Sequence, residues 1–269
     1  MTATSVPIFA PNLVPTLSGL LPTVTGDATI TLTAGTCTDS SAHNYIFSAS
    51  TITIDAAIAG AGGLDTGTLA ASTLYAILVI DSSIALAQGL SNSAGVVNGM
   101  LTLASTETTP TLPTKVINGT LYGYDEFRVV GYVLTDGSAD FLPGVWSGTG
   151  IEREFLFADQ LAVLAGGTQT SFTTVDIDNA VPRQIIPDGA RVGLNYAFTA
   201  TTDSDTFALL TYGITSTNGM EIFSGPEASA VAQAVAWIPT GLNSGVPAIQ
   251  YKVSAGSLGL NVFGYRVSL

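Results

Sequence analysis

Residues 122–141 read YGYDEFRVVGYVLTDGSADF, and the centre of that run, 129–134, is apolar on both of its alternating faces. Val130, Tyr132 and Leu134 fall on one side, Val129 and Val133 on the other, and Gly131 breaks only the second. Side chains alternate across a strand with a period of two, so a strand apolar on both sides is covered on both. Residues 73–80, TLYAILVI, repeat the pattern and are strongly β-prone, which makes them the companion of the first run. Thr135-Asp136-Gly137-Ser138 then supplies a tight turn, because Gly tolerates positive φ and Asp can close on its own backbone.

The rest of the chain is a succession of shorter strand patterns. Before the boundary these cover residues 28–34, 45–49, 51–55 and 100–103; beyond it they cover 151–157, 170–177, 191–199, 205–214, 220–223, 247–253 and 259–269. A rigid extended link, TTPTLP at 108–113, leads into the opening stretch. Residues 227–238 are ambiguous: Ser224-Gly225-Pro226-Glu227 reads as a helix start, whereas Val231, Val235 and Trp237 fit a strand face, which the neighbouring strands favour. Helix–strand alternation is absent, and turn residues recur every ten or so positions. The expected fold is all-β, with two jelly-roll-like β-sandwich domains over 26–147 and 148–269, divided at the Pro/Gly cluster 143–150. An extended docking arm over 1–25 precedes them. Pro7, Pro11, Pro15 and Pro22 block a helix there, and no basic segment precedes the apolar residues as a secretory signal requires.

Charge narrows the function classes. Charged residues make up only 10% of the chain, its formal charge is −13, and no Lys or Arg precedes Lys115. Binding to nucleic acid draws its strength from basic side chains on phosphates, so that class is rejected, and an anionic membrane surface is disfavoured. Mean hydropathy is +0.46. The longest apolar run is nevertheless about residues 74–80, far below the roughly 18 that a spanning helix needs. A surface so poor in charge is expected to be covered by another subunit. A homo-oligomer follows, a trimer by preference, whose two-sided apolar strands serve both core and subunit interface.

No motif supplies catalytic machinery. Leu64-Asp65-Thr66-Gly67 contains an Asp-Thr-Gly, but aspartic-protease chemistry needs two such carboxylates sharing a proton and a hydrophobic strand before each. The turn reading is stronger. His43 is the only histidine and lacks a nucleophile context; with Cys37 it gives too few ligands for zinc. Cys37, the single cysteine, reads as a small buried hydrophobe. Asp176/Asp178 and Asp203/Asp205 could each contribute to calcium binding, yet neither continues into a calcium loop. Asn118-Gly119-Thr120 matches a glycosylation sequon. The expectation is therefore no catalytic residue, no cofactor and no metal.

Two segments carry a resemblance. Residues 62–75, GGLDTGTLAASTLY, and residues 124–141 resemble a group of tailed-bacteriophage virion proteins. In that group an LDTG segment leads into a long apolar strand, followed by a Pro-x-x-Pro link and an aromatic-Arg-basic-x-Gly strand ending in a T-D-G-S turn. Residues 244–253 and Gly264-Tyr265 are similar to the group's closing strands. Val129 departs from the group, which often has a second basic residue there. The resemblance implies a non-enzymatic virion component, a fibre-like tail subunit, docked to other virion proteins through its N-terminal arm. The alternatives are a capsid decoration or head-fibre protein, and a receptor-binding module contacting host glycan through exposed aromatics such as Trp146 or Trp237.

Overall fold

The computed structural model describes residues 16–42, 44–82, 97–117, 120–181, 190–213, 221–224 and 231–269. Among these residues there is no α-helix; one 3-10 turn, Ala104–Thr106, interrupts a succession of strands. The first part of the chain forms β1 (Leu17–Gly19), β2 (Pro22–Gly26), β3 (Thr29–Leu32), β4 (Gly35–Thr38), β5 (Tyr45–Ser48) and β6 (Ile52–Asp55). Next come β7 (Leu74–Asp81), β8 (Asn98–Leu103), β9 (Thr114–Ile117), β10 (Thr120–Gly123), β11 (Glu126–Leu134) and β12 (Gly144–Thr149). The last part contributes β13 (Glu152–Gly167), β14 (Thr173–Asp176), β15 (Arg191–Thr199), β16 (Thr206–Thr211) and β17 (Glu221–Ser224). It closes with β18 (Val231–Pro239), β19 (Gly241–Asn243), β20 (Val246–Val253) and β21 (Ser257–Ser268). The ambiguous 227–238 segment is a strand where it is described. The chain is an all-β sandwich of antiparallel sheets.

The largest sheet has eight strands in the order β18-β15-β21-β13-β12-β2-β3-β6. A five-stranded sheet, β14-β20-β16-β17 with β19 also on β20, packs Phe207, Leu209 and Ile249 into one core with Val192, Leu194 and Tyr196 of β15. Two three-stranded sheets, β11-β7-β8 and β1-β4-β5, complete the layers, with β9 and β10 as a hairpin. The division expected at 147/148 falls inside β12, which pairs Val145 with Thr23 of β2 on one side and runs along β13 on the other. One sheet thus crosses both halves of the sequence. Gly144, which reads in sequence as linker, serves a close approach there: a Cβ would sit 2.3 Å from the Phe155 ring. Of the arm expected over 1–25, residues 1–15 lie outside the described residues, and the remainder supplies β1 and β2, paired with β4 and β3.

The two doubly apolar runs are hydrogen-bonded partners in the middle layer: β11 lies antiparallel to β7, from Glu126 opposite Asp81 to Leu134 opposite Leu74. Each face of this layer lies in a different core. Ala76, Leu78 and Ile80 enter a core shared with Leu194, Phe207, Tyr251 and Tyr265. Tyr75, Ile77 and Val79 enter the other, with Ile30, Ile46 and Ile54. At about 1.5–3 kcal/mol for each large apolar side chain removed from water, this single strand contributes to the stability of both cores.

The faces of β11 differ from the simple alternation expected. A bulge between Val129 and Gly131 leaves Val130 as the extra residue. It reverses the parity, so that Val130 and Val133 share one core while Tyr132 enters the other. The turn that follows also differs in detail. Asp136 does close on its own backbone, its Oδ1 accepting from the N–H of Ser138 at 2.7 Å and of Asp140 at 3.0 Å. The left-handed residue, however, is Ala139 (φ 68°), not Gly137.

Candidate functional site

Three layers meet where β4, β7 and β11 end or begin, and each brings an acidic residue to that junction. Asp39 follows β4, Asp81 closes β7, and Asp125 and Glu126 open β11. Antiparallel register sets Glu126 opposite Asp81, and the Asp125 N–H donates to the Asp81 carbonyl at 3.1 Å. The Ser40 N–H donates to the Phe127 carbonyl at 2.8 Å, fastening the β4–β5 connection onto β11. Asp39 and Asp81 are both fully buried. The Asp39 carboxylate accepts from the Asn44 N–H at 3.0 Å and from the Ser41 hydroxyl, while Asn44 Nδ2 donates to Glu126 Oε1 at 2.7 Å. Asp81 Oδ1 accepts from the Ser82 N–H at 2.7 Å. Its Oδ2 finds no hydrogen-bond partner among the described residues.

Carboxylates crowded in a poorly hydrated place hold their protons. Burial raises Asp81 to about 7, with the charge of Asp125 adding to it against the Ser82 N–H. Burial, then the hydrogen bond and charge of Asp39 and the charge of Asp125, raise Glu126 to about 8, while Asn44 pulls the other way. Tyr124, hydrogen-bonded to Asn98, is likewise pushed up to about 12 by burial. The junction can therefore bind and release protons near neutral pH. No group of three or more metal-ligating side chains suited to an ion occurs among the described residues.

A cationic counterpart lies on β13. Arg153 is 3% exposed and carries no carboxylate partner in its hydrogen bonds. Its guanidinium donates to the carbonyls of Gly19 (2.6 Å), Leu20 (3.0 Å), Val130 (3.2 Å) and Gly150 (3.3 Å). Desolvation lowers it to about 10, so it stays protonated at neutral pH. One side chain thereby ties the end of β1, the β11 bulge and the β12–β13 turn together.

The residues singled out in sequence are scattered by the fold. Asp65 follows a loop that docks on β8: its N–H donates to the Leu101 carbonyl, and its Oδ2 accepts from Thr102 Oγ1 at 2.7 Å. Gly63 in that loop admits no side chain, since a Cβ would lie 2.0 Å from the Ile58 carbonyl oxygen. This is the turn reading of the Asp-Thr-Gly. Cys37 is buried, and desolvation pushes its thiol to about 12, as befits an inert core residue. Asp176 and Asp178 are exposed. Asp205 is spent on its own turn, accepting from the N–H and hydroxyl groups of Thr201 and Thr202, which hold it well below the usual carboxylate range. His43 and the sequon's Asn118 and Gly119 lie outside the described residues.

Of the two tryptophans expected to be exposed, Trp146 is buried, and this corrects the sequence reading. Its Nε1–H donates to the Tyr132 carbonyl at 3.2 Å, and its ring packs 5.4 Å from Phe155 and 5.6 Å from Tyr265. Trp237 is half-buried, with the Arg266 guanidinium 4.0 Å above its ring and Phe263 against its edge. A cavity of about 340 Å³ beside the 135–140 turn is lined by Ser72, Leu134, Asp136, Leu142, Leu161 and Asp178, among others.

Sequence reasoning missed the acid junction because its members are far apart along the chain. The signal was nonetheless present: an acid closes one doubly apolar run (Asp81) and another opens its companion (Glu126), so antiparallel pairing places them opposite.

No protein-family model matches the chain, and no curated protein matches it. Among solved structures, the chain is similar to an exo-β-1,3-galactanase from Phanerochaete chrysosporium with galactose. The identity is 12% and the TM-score 0.24 over 92% of this chain, which spans 57% of the galactanase chain. It is similar at 13% identity and TM-score 0.25 to infectious bursal disease virus of the Gx strain, covering 95% of this chain and 71% of that one. For the Gt strain the values are 12% and 0.26, covering 98% and 74%.

Proposed function

We propose that the chain is a non-enzymatic structural subunit of a bacteriophage particle, a fibre-like tail or head appendage that works as a homo-oligomer. One observation carries this reading. The two segments that resemble tailed-phage virion proteins grip each other through polar groups. The Thr135 hydroxyl donates to the Ala70 carbonyl at 2.6 Å and accepts from the Thr73 N–H at 2.8 Å, while the Ser72 N–H donates to the Asp136 carbonyl at 2.7 Å. Asp65 and Asp136 meanwhile hold their own loops. Motifs spent in this way build a scaffold. Other virion proteins, reached through the N-terminal arm, are the partners this reading implies.

Electron cryomicroscopy and peptide mass spectrometry of purified particles test it: the chain should be present and fit an appendage. Its absence from particles that sediment intact would sink the proposal. Host-glycan binding is a second reading favoured by Tyr45 and Phe47, which are 53% and 51% exposed two positions apart on the edge strand β5. A glycan array on which a Tyr45→Ala/Phe47→Ala variant binds as the parent does would discard it.

A further inference from the structure

We infer that β18 is a self-pairing edge, along which two copies of this chain join antiparallel about a two-fold axis near Val235. The proposal rests on the homo-oligomeric part of the reading above and names the partner: a second copy, in a two-fold pair instead of the trimer expected from sequence.

The two ends of the eight-stranded sheet are built differently. At one end, β6 has four residues, and a loop lies along it, the Asp55 N–H donating to the Gly62 carbonyl at 2.8 Å. At the other end, β18 runs for nine residues, VAQAVAWIP, all in unbroken register with β15. Its outer row of backbone groups meets no strand among the described residues. Natural edges are blunted by shortness, bulges, charges or proline, and β18 has only Pro239 at its last position. Val231 and Val235 are 54% and 65% exposed. Gln233 and Ala234 are exposed as well, one on each face of the strand.

Charge selects the occupant. Opposite Pro239 on β15 stands Arg191, which is exposed; opposite Val231 stands Thr199, which runs into the turn holding exposed Asp203. Antiparallel pairing of two copies brings the Arg191 end of each toward the acidic turn of the other. A parallel pair would set like charge beside like. The strand between carries no charge of its own, and the Arg266 guanidinium over Trp237 is paired with Glu154, so two chains of formal charge −13 meet there with little local repulsion. Such a match at both ends is the self-complementarity of an isologous interface.

Light scattering on the full chain after size exclusion tests this. The parent should run at twice 27.4 kDa. Val235→Lys and Val235→Glu each place like charges across the axis and should weaken the pair about 100-fold. Each should then run as a single chain with an unchanged circular dichroism spectrum, because the side chain is 65% exposed. An equimolar mixture of the two variants should recover the double mass. Should either variant fail to fold, Gln233→Lys and Gln233→Glu repeat the exchange at a second exposed position. A parent of single-chain mass overturns the proposal, as does any larger mass that both charge substitutions leave intact. Particle composition is read separately, so failure here is distinguishable from failure of the virion assignment.

Discussion

Arg153 and the Asp39–Asp81–Glu126 junction both bury charge where the middle layer meets its neighbours, and they neutralise that burial differently. Around Arg153 the chain aims four backbone carbonyls at a group that keeps its proton. Around the acids there are too few donors, so Asp81 and Glu126 are instead favoured in their neutral forms. A fixed cation needs a fixed cage, whereas a carboxylate can shed its charge by taking up a proton. The first solution is indifferent to pH over the ordinary range, and the second is not.

The largest effect should come from breaking the cage. Arg153→Ala leaves the carbonyls of Gly19, Leu20, Val130 and Gly150 without their donor and should cost about 3–5 kcal/mol in urea denaturation. Arg153→Lys should recover part of that. A loss that changed steeply between pH 5 and 8 would show that the Arg153 cage is not indifferent to pH.

Next comes the acid junction. The folded pKa values of Asp81 and Glu126 lie above their ordinary ones, so the folded state binds more protons than the unfolded between about pH 4 and 8. Their contribution is full below the ordinary carboxylate values and is lost as pH rises through about 7 and 8. Asp81→Asn should therefore flatten the decline in stability between pH 5 and 8, by on the order of 2 kcal/mol at the upper end, with Glu126→Gln acting the same way more weakly. Denaturation midpoints across that range for both variants decide it; slopes equal to the parent's would exclude the junction as the proton site.

A smaller effect is expected from Trp146→Phe, which removes the bond to the Tyr132 carbonyl and part of the ring packing, at about 1–2 kcal/mol. Asp205→Asn should be the mildest and of opposite sign in pH. Its carboxylate is held below the ordinary range, so its contribution is present above about pH 4 and disappears as acid protonates the folded form. Thermal midpoints of variant and parent should converge at low pH; a gap that widened in acid would contradict the turn's role.

Much of the layering was legible in the residues. Doubly apolar runs at 73–80 and 129–134 demand cover on both sides, and pairing them with each other is the simplest way to provide it. The bulge at Val130 was not legible, because one extra residue leaves composition and propensity untouched while reversing every face beyond it. Trp146 misled for a related reason. It sits in a Gly/Ser-rich stretch that reads as a surface linker, but Gly144 is there to let the Phe155 ring approach. Asp65 lies in a loop held on β8, a placement its Gly-rich surroundings in the sequence already suggest. The acid junction escaped because side chains 87 positions apart, Asp39 and Glu126, become neighbours only through tertiary pairing.

The alternation along β7 has a further consequence for how the molecule comes apart. Its even-numbered side chains hold one core and its odd-numbered ones the other, so neither core can melt while the strand stays in place for its neighbour. Heating should give one calorimetric transition in spite of a sequence that reads as two halves. The strand acts as a cooperativity coupler: damage to either side is felt as loss of the whole.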